Sequence, residues 1–261
     1  MSLDWGTKRK MMYTSVLLLI IGIAGTIFLW PYFNKEPTCF DGKQNGIESG
    51  IDCGGSCRKV CSAETYRLVT LWSRAFEVVP GKYNFMAYVE NQNREAGIRK
   101  INYEFRAYDE KNIFLARREG STFVSSNDRT AIFEAGIDTG NRKPERVDFT
   151  FTSVPVWSKI TREQRNSLAI SVEDKVLSNP FISPKLEANV INRTIKEIND
   201  LSVYVILYDK NNNVSNVSKT FIEKLPKNGE VPIVFTWPVP LLEEPTRIDI
   251  FPQVNIFDLG I

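Results

Sequence analysis

Ile101-Asn-Tyr-Glu-Phe-Arg-Ala-Tyr108 and, about a hundred residues further on, Val203-Tyr-Val-Ile-Leu-Tyr208 carry the pattern that decides the fold. Side chains on a strand point alternately to opposite faces, so positions 101, 103, 105 and 107 line one face while Asn102, Glu104 and Arg106 line the other. Tyr83-Asn-Phe-Met-Ala-Tyr-Val89 is also strand-like, turn residues separate the runs, and long helical periodicity is hard to find after Cys61. The expectation is an all-β ectodomain.

The two runs belong to a longer self-similarity. Val89-Glu-Asn91 matches Val190-Ile-Asn192, Phe105-Arg-Ala-Tyr-Asp109 matches Val205-Ile-Leu-Tyr-Asp209, Thr122-Phe123 matches Thr220-Phe221, and Pro144-Glu-Arg-Val-Asp-Phe149 matches Pro245-Thr-Arg-Ile-Asp-Ile250. Short strands with regularly spaced turn signals predict two β-sandwiches in series, at 64–174 and 175–261. Pro180 and Pro184 make the stretch 178–184 an extended, stiff connector between them. Asp109 and Asp209 enter turns in which Asp and Asn bond their own backbone and tolerate left-handed conformations. Tyr108 and Tyr208 are expected to bury a ring and leave the hydroxyl near the surface.

The strings at 105–109 and 205–209 resemble the FxLYD type of immunoglobulin-like domain, departing from it at Ala107 in the first and at Val205 in the second. Such domains occur in tandem on bacterial and archaeal surface proteins, generally without an enzymatic assignment. The resemblance therefore implies a scaffold or binding role.

Ahead of the β region, residues 11–34 carry no charge, and their core is long enough to cross a hydrocarbon layer of roughly 30 Å as a helix. Lys8-Arg9-Lys10 precede the run, so the positive-inside bias predicts a cytoplasmic tail at 1–10 and everything after the span outside. Trp30, Tyr32 and Phe33 fit an interfacial belt at the outer end. A cleaved signal has a shorter apolar core followed by small residues, whereas this run exits through Trp30-Pro-Tyr-Phe33, so an uncleaved anchor is expected.

The chain has 261 residues, with 33 basic against 31 acidic side chains and a net charge of +2. The outer part is nearly neutral, which gives no long-range pull toward nucleic acid. The short tail is too small to fold or to signal.

Cys39, Cys53, Cys57 and Cys61 all fall in a module at 35–62. An even count in a short glycine-rich stretch outside the membrane predicts two disulfides, with three pairings open. One rival is a four-thiolate zinc site, though the spacing departs from paired CxxC knuckles. The other is a calcium loop formed by Asp41, Asn45, Ser49 and Asp52, with Gly46 at the sharp turn. Lys43 stands where a ligand oxygen belongs and Asp52 where a longer Glu is usual. The pattern C-x-D-G-x-x-N-x-x-E-x-G-x-D-C-G-G, Cys39 through Gly55, resembles a short cysteine-rich module of bacterial surface and secreted proteins, for which no catalytic role is implied.

Histidine is absent, which removes the commonest general base and metal ligand together. No phosphate loop or nucleophile elbow is present. Carboxylate pairs such as Glu243 with Glu244, or Asp128 with Glu134, are conceivable in a glycosidase arrangement but are read as solvated strand faces. Neither an enzyme nor a bound cofactor is expected, calcium being the one candidate. Asn192-Arg-Thr194, Asn213-Val-Ser215 and Asn216-Val-Ser218 fit the N-glycosylation acceptor pattern. The function expected is a single-pass membrane-anchored structural or protein-interaction role at the cell envelope, with Gly22 and Gly25 as candidate contacts inside the bilayer. The alternative is a surface module for a glycan or polymer, with Trp237 in Phe235-Thr-Trp-Pro-Val-Pro240 as the candidate aromatic.

Overall fold

The computed structural model describes residues 4–33 and 36–259, the Tyr32 side chain excepted. Residues 1–3 of the expected tail, Asn34 at the end of the expected span, and Lys35 lie outside the described residues. Two units are distinct, 1–52 and 53–261. In the first, α1 (Trp5–Phe33) is the one helix among the described residues long and apolar enough to cross a membrane. It starts six residues before the uncharged run, so Lys8, Arg9 and Lys10 form part of its first turns.

The second unit is built of antiparallel strands. The first six are β1 (Val69–Val79), β2 (Lys82–Asn91), β3 (Ala96–Tyr108), β4 (Phe114–Val124), β5 (Asp128–Asp138) and β6 (Arg146–Phe151). They form two sheets, β1-β2-β5 and β4-β3-β6, with the short β7 (Trp157–Lys159) also on β3. After the one-turn α2 (Arg162–Asn166) come β8 (Ile170–Ser178), β9 (Lys185–Asn192), β10 (Ile198–Tyr208), β11 (Val214–Leu225), β12 (Glu230–Thr236) and β13 (Arg247–Gln253). Their sheets are β8-β9-β12 and β11-β10-β13, which is the strand order of the first six. Each matched string of the sequence falls on corresponding strands.

The matched residues do one job in both halves. Asp109 Oδ1 accepts the N–H groups of Lys111 and Ile113, and Asp209 Oδ1 accepts those of Asn211 and Asn213. Asn112 and Asn212 take left-handed φ angles of 57° and 63°. Arg146 lies 4.4 Å over the Tyr108 ring and donates to Asn112 Oδ1, while Arg247 lies 3.6 Å over Tyr208 and donates to Asn212 Oδ1. The Tyr-Asp string and the Pro-x-Arg string are thus two halves of one clamp across the end of a sheet.

A second repeated device ties the opposite end of each sandwich. Asn91 Nδ2 donates to the carbonyls of Ala96 and Ser125, and Asn192 Nδ2 to those of Lys196 and Pro226. Both asparagines are buried, Asn192 completely. Its amide is consumed inside the fold, so the 192–194 acceptor pattern offers no accessible nitrogen for a glycan.

Each sandwich has its own core. Phe85, Phe105 and Phe149 centre the first, and Leu186, Leu201, Val205 and Phe235 the second. A third apolar cluster lies between them: Phe76, Met86 and Ala131 from the β1-β2-β5 sheet meet Tyr204, Ile206, Tyr208 and Val217 from the β11-β10-β13 sheet. Trp72, Tyr88, Phe251, Tyr204 and Phe133 form a chain of ring contacts through it, with centroids 5.6 to 6.5 Å apart. The sandwiches are therefore docked face to face in four layers, and it is this interface that fixes their relative placement.

The expected connector has another place. Residues 179–184 join β8 to β9 inside one sheet, and the boundary expected between 174 and 175 falls within β8. The prolines mark a turn within the sandwich, with Pro184 buried beneath it. The chain passes between sandwiches through 160–169 instead.

The docking has a pH signature. Burial pushes the hydroxyls of Tyr88 and Tyr204 up to about 12. Unfolded tyrosine titrates near 10, so their contribution to stability is complete below about 10 and is lost as pH rises toward 12. We expect alkaline tyrosine ionisation, followed by absorbance, to coincide with loss of near-UV circular dichroism in that window. A Tyr88→Phe/Tyr204→Phe chain should keep its tertiary signal to higher pH, and an unchanged midpoint in that variant would count against the assignment.

Candidate functional site

The four cysteines are all oxidised, as Cys39 with Cys57 and Cys53 with Cys61. The bridges consume the thiolates that a zinc site requires. Little apolar material is available for a core in this module, and its second half uses that of the first sandwich. The N–H of Val60 donates to the Trp157 carbonyl and the N–H of Lys159 to that of Arg58, while the Val60 side chain packs beside Trp157 and Ile98. The 58–60 segment thus extends the β7 edge.

The candidate calcium residues turn inward on their own loop. Asp52 Oδ1 accepts the N–H groups of Asp41 and Gly42, each at 3.0 Å. Asp41 accepts from the Asn45 amide at 2.8 Å and from the Lys43 N–H at 3.0 Å, which hold its carboxyl below the usual aspartate range. Ser49 contributes its carbonyl to the Gln44 amide. Asn45 Oδ1 is buried without a hydrogen-bond partner. The two aspartates already serve the backbone donors that this turn leaves open.

Trp237 is buried at 7% exposure, packs in the core of the second sandwich, and donates its indole N–H to the Val217 carbonyl at 3.3 Å. Its face is unavailable to a glycan, because the residue points inward as the β12 alternation Ile233, Phe235, Trp237 requires. Trp157 is also buried, and Trp72 lies in the sandwich interface. The pair Asp128 with Glu134 does not assemble either. Asp128 and Glu134 stand six residues apart on β5, roughly 20 Å along an extended strand, well beyond glycosidase spacing.

An apolar surface feature with no local sequence signature lies where two loops of the second sandwich meet. The N–H of Leu241 donates to the Pro180 carbonyl at 2.8 Å and that of Trp237 to the Pro184 carbonyl at 3.2 Å, tying the 179–184 turn to the 237–246 loop. Leu241, Pro184 and Trp237 pack beneath, which leaves Phe181, Ile182, Val239 and Leu242 outside. Ile182 is 80% exposed and Leu242 fully so. Glu244 is exposed next to them, Glu243 partly so, and neither has an ion pair among the described residues. The corresponding connection of the first sandwich is the tight turn Pro80-Gly81. The apolar tip is thus an elaboration of the second sandwich on a shared strand plan. Clustered exposed apolar side chains with a polar rim are the physical mark of a contact surface.

No family model matches the chain, and no curated protein does. Among solved structures, a red sea bream transglutaminase aligns at 10% identity over 73% of this chain and 30% of its own, with a TM-score of 0.22. The C-terminal globular domain of an oligosaccharyltransferase from Pyrococcus abyssi aligns at 14% identity over 68% of this chain and 41% of its own, with a TM-score of 0.16. This chain spans less than half the length of either structure. At such scores the likeness carries no argument about function.

Proposed function

We propose that this is a membrane-anchored, non-catalytic presentation scaffold whose second sandwich docks a protein partner at the cell envelope through the tip at 181–182 and 239–244. The exposed apolar tip carries this reading. Four apolar side chains are held out on two mutually bonded loops, with the uncompensated acids Glu243 and Glu244 beside them. The complementary surface is an apolar cleft with a basic rim. Lys8-Arg9-Lys10 ahead of the uncharged run and oxidised cysteines after it support a cytoplasmic N-terminus and an extracytoplasmic β region. The hydrogen bonds that Asp41 and Asp52 already make within the 41–52 loop support a scaffold that works without a cofactor.

Photocrosslinking in intact cells tests the reading. A crosslinking residue at Ile182 should give one discrete protein adduct, and one at Glu119 on the first sandwich should not. Leu242→Asp should abolish the Ile182 adduct while shifting stability by no more than about 0.5 kcal/mol, since the side chain is fully exposed. Equal labelling from both positions, or an adduct indifferent to Leu242→Asp, would refute the docking role.

A further inference from the structure

A cavity of about 290 Å³ lies where the turn between β4 and β5 meets α2 and the end of β13. Its volume equals that of roughly ten waters. Its lining includes two buried atoms with no hydrogen-bond partner, Ser126 Oγ and Arg165 Nη1. Ser126 is 5% exposed. The apolar part of the wall is formed by Leu168, Ile170, Val254 and Ile256.

Neither unpartnered atom is an accident of a loose segment. Asn127, next to Ser126, is held left-handed at φ 49° with its N–H on the Asn93 carbonyl at 2.8 Å. Arg165 projects from a helical turn fixed by a reciprocal capping box between Thr161 and Gln164. Across the sandwich interface, Gln253 Oε1 accepts the N–H of Ala131 at 2.9 Å. A guanidinium nitrogen removed from water with no acceptor is costly, and such a group in a folded protein calls for an absent partner. Arg165 makes no ion pair among the described residues. Asp128 also lines the cavity, with its Oδ1 on the N–H of Arg129 at 2.7 Å, and burial raises its carboxyl above the usual aspartate range.

We infer that this cavity binds a small organic acid, a carboxylate bearing a short aliphatic group. Arg165 Nη1 and the Ser126 hydroxyl both donate to the carboxylate, and the aliphatic part covers Leu168, Ile170, Val254 and Ile256. An inorganic anion would satisfy the donors but leave that wall against water, while a purely apolar molecule would leave both donors stranded. The site stands apart from the docking tip and does not depend on it.

Fluorine NMR on the full chain in lipid nanodiscs provides the test, with trifluorobutanoate as probe and trifluorobutylamine as its cationic counterpart. We expect the acid to give a saturable shift and the amine none. Arg165→Gln should weaken binding by about tenfold or more, and Ser126→Ala by severalfold, following the strengths of charged and neutral hydrogen bonds. Thermal midpoints show which variants fold; if Arg165→Gln does not, Ser126→Ala carries the test. A cavity holding ordered water only would give no saturable response to either probe. That result, equal binding of the amine, or affinity unchanged in the folded variants would each overturn the proposal.

Discussion

Ile206→Asp is expected to split the unfolding of the β region into two steps and to expose the 160–169 passage to protease while each sandwich is still folded. Ile206 is fully buried at the centre of the third apolar cluster and points away from the core of its own sandwich, which Val205 and Leu207 face. A carboxylate there is buried among the apolar side chains of this cluster and stands opposite Asp249 across β10 and β13, while the nearest cations, Lys219 and Arg247, already lie over the Tyr204 and Tyr208 rings. Its burial costs several kcal/mol, a size reached only by a few mechanisms of destabilisation. The docked state escapes that cost by opening. Ile206→Val removes one methylene at the same place and should cost only about 0.5–1.5 kcal/mol with one transition retained. Ile195→Asp, at a position 82% exposed, should change stability by no more than about 0.5 kcal/mol. Near-UV circular dichroism melts and limited proteolysis of the three chains decide the matter. A single unshifted transition for Ile206→Asp would mean that the sandwiches are not coupled through this face.

The docked face shows what could be read from residues alone. Alternation and the matched strings were enough for strands, turns and repeat, because the same Tyr, Asp, Asn and Arg build the same clamp twice. What separates the halves was also in the strings. In β3, Tyr103, Phe105 and Ala107 alternate with Glu104 and Arg106, whereas β10 runs Val203 to Tyr208 without a charged residue. An unbroken apolar strand is buried on both faces, and the second face had to meet something. Reading both runs simply as strands left that partner unidentified. Pro180 and Pro184 led the other way, since proline stiffens a linker and a turn alike and only the pairing of β8 with β9 distinguishes them. The tip escaped notice for a different reason. Ile182 and Leu242 lie sixty residues apart in sequence, and the bonds from Leu241 to Pro180 and from Trp237 to Pro184 that join their loops leave no local signature. Arg165 was equally unmarked, because only three-dimensional packing shows that its guanidinium lacks an acid.

Exchanging three residues of the first sandwich for their counterparts in the second should convert a free sheet into a sticky one. Strand pairing sets the correspondence: Arg106 faces Arg117 across β3 and β4 as Ile206 faces Val217 across β10 and β11, and Glu104 stands where Tyr204 does. In the second sandwich these positions are covered by the first. In the first they form an ionic group, with Glu104 only 3% exposed and bonded to both Arg106 and Arg117. The interface between sandwiches is heterologous, joining the β1-β2-β5 side of one repeat to the β11-β10-β13 side of the next. Such a contact propagates unless its ends are altered. The outer end of the second sandwich is altered too, since Met86 and Tyr88 of the covered sheet correspond to Glu187 and Asn189 of the open one. We expect these polar residues to stop the stack at two. Glu104→Tyr/Arg106→Ile/Arg117→Val removes the stop at one end and leaves three adjoining apolar side chains, between Glu119 and Asp148, on a sheet face in water. Sedimentation of the full-length chain should show larger, concentration-dependent species than the parent under identical conditions, with far-UV circular dichroism unchanged. The substitution Glu104→Gln alone, which keeps Arg106 and Arg117 on that face, should not. Identical sedimentation of the triple variant and the parent would mean that shape rather than charge ends the stack.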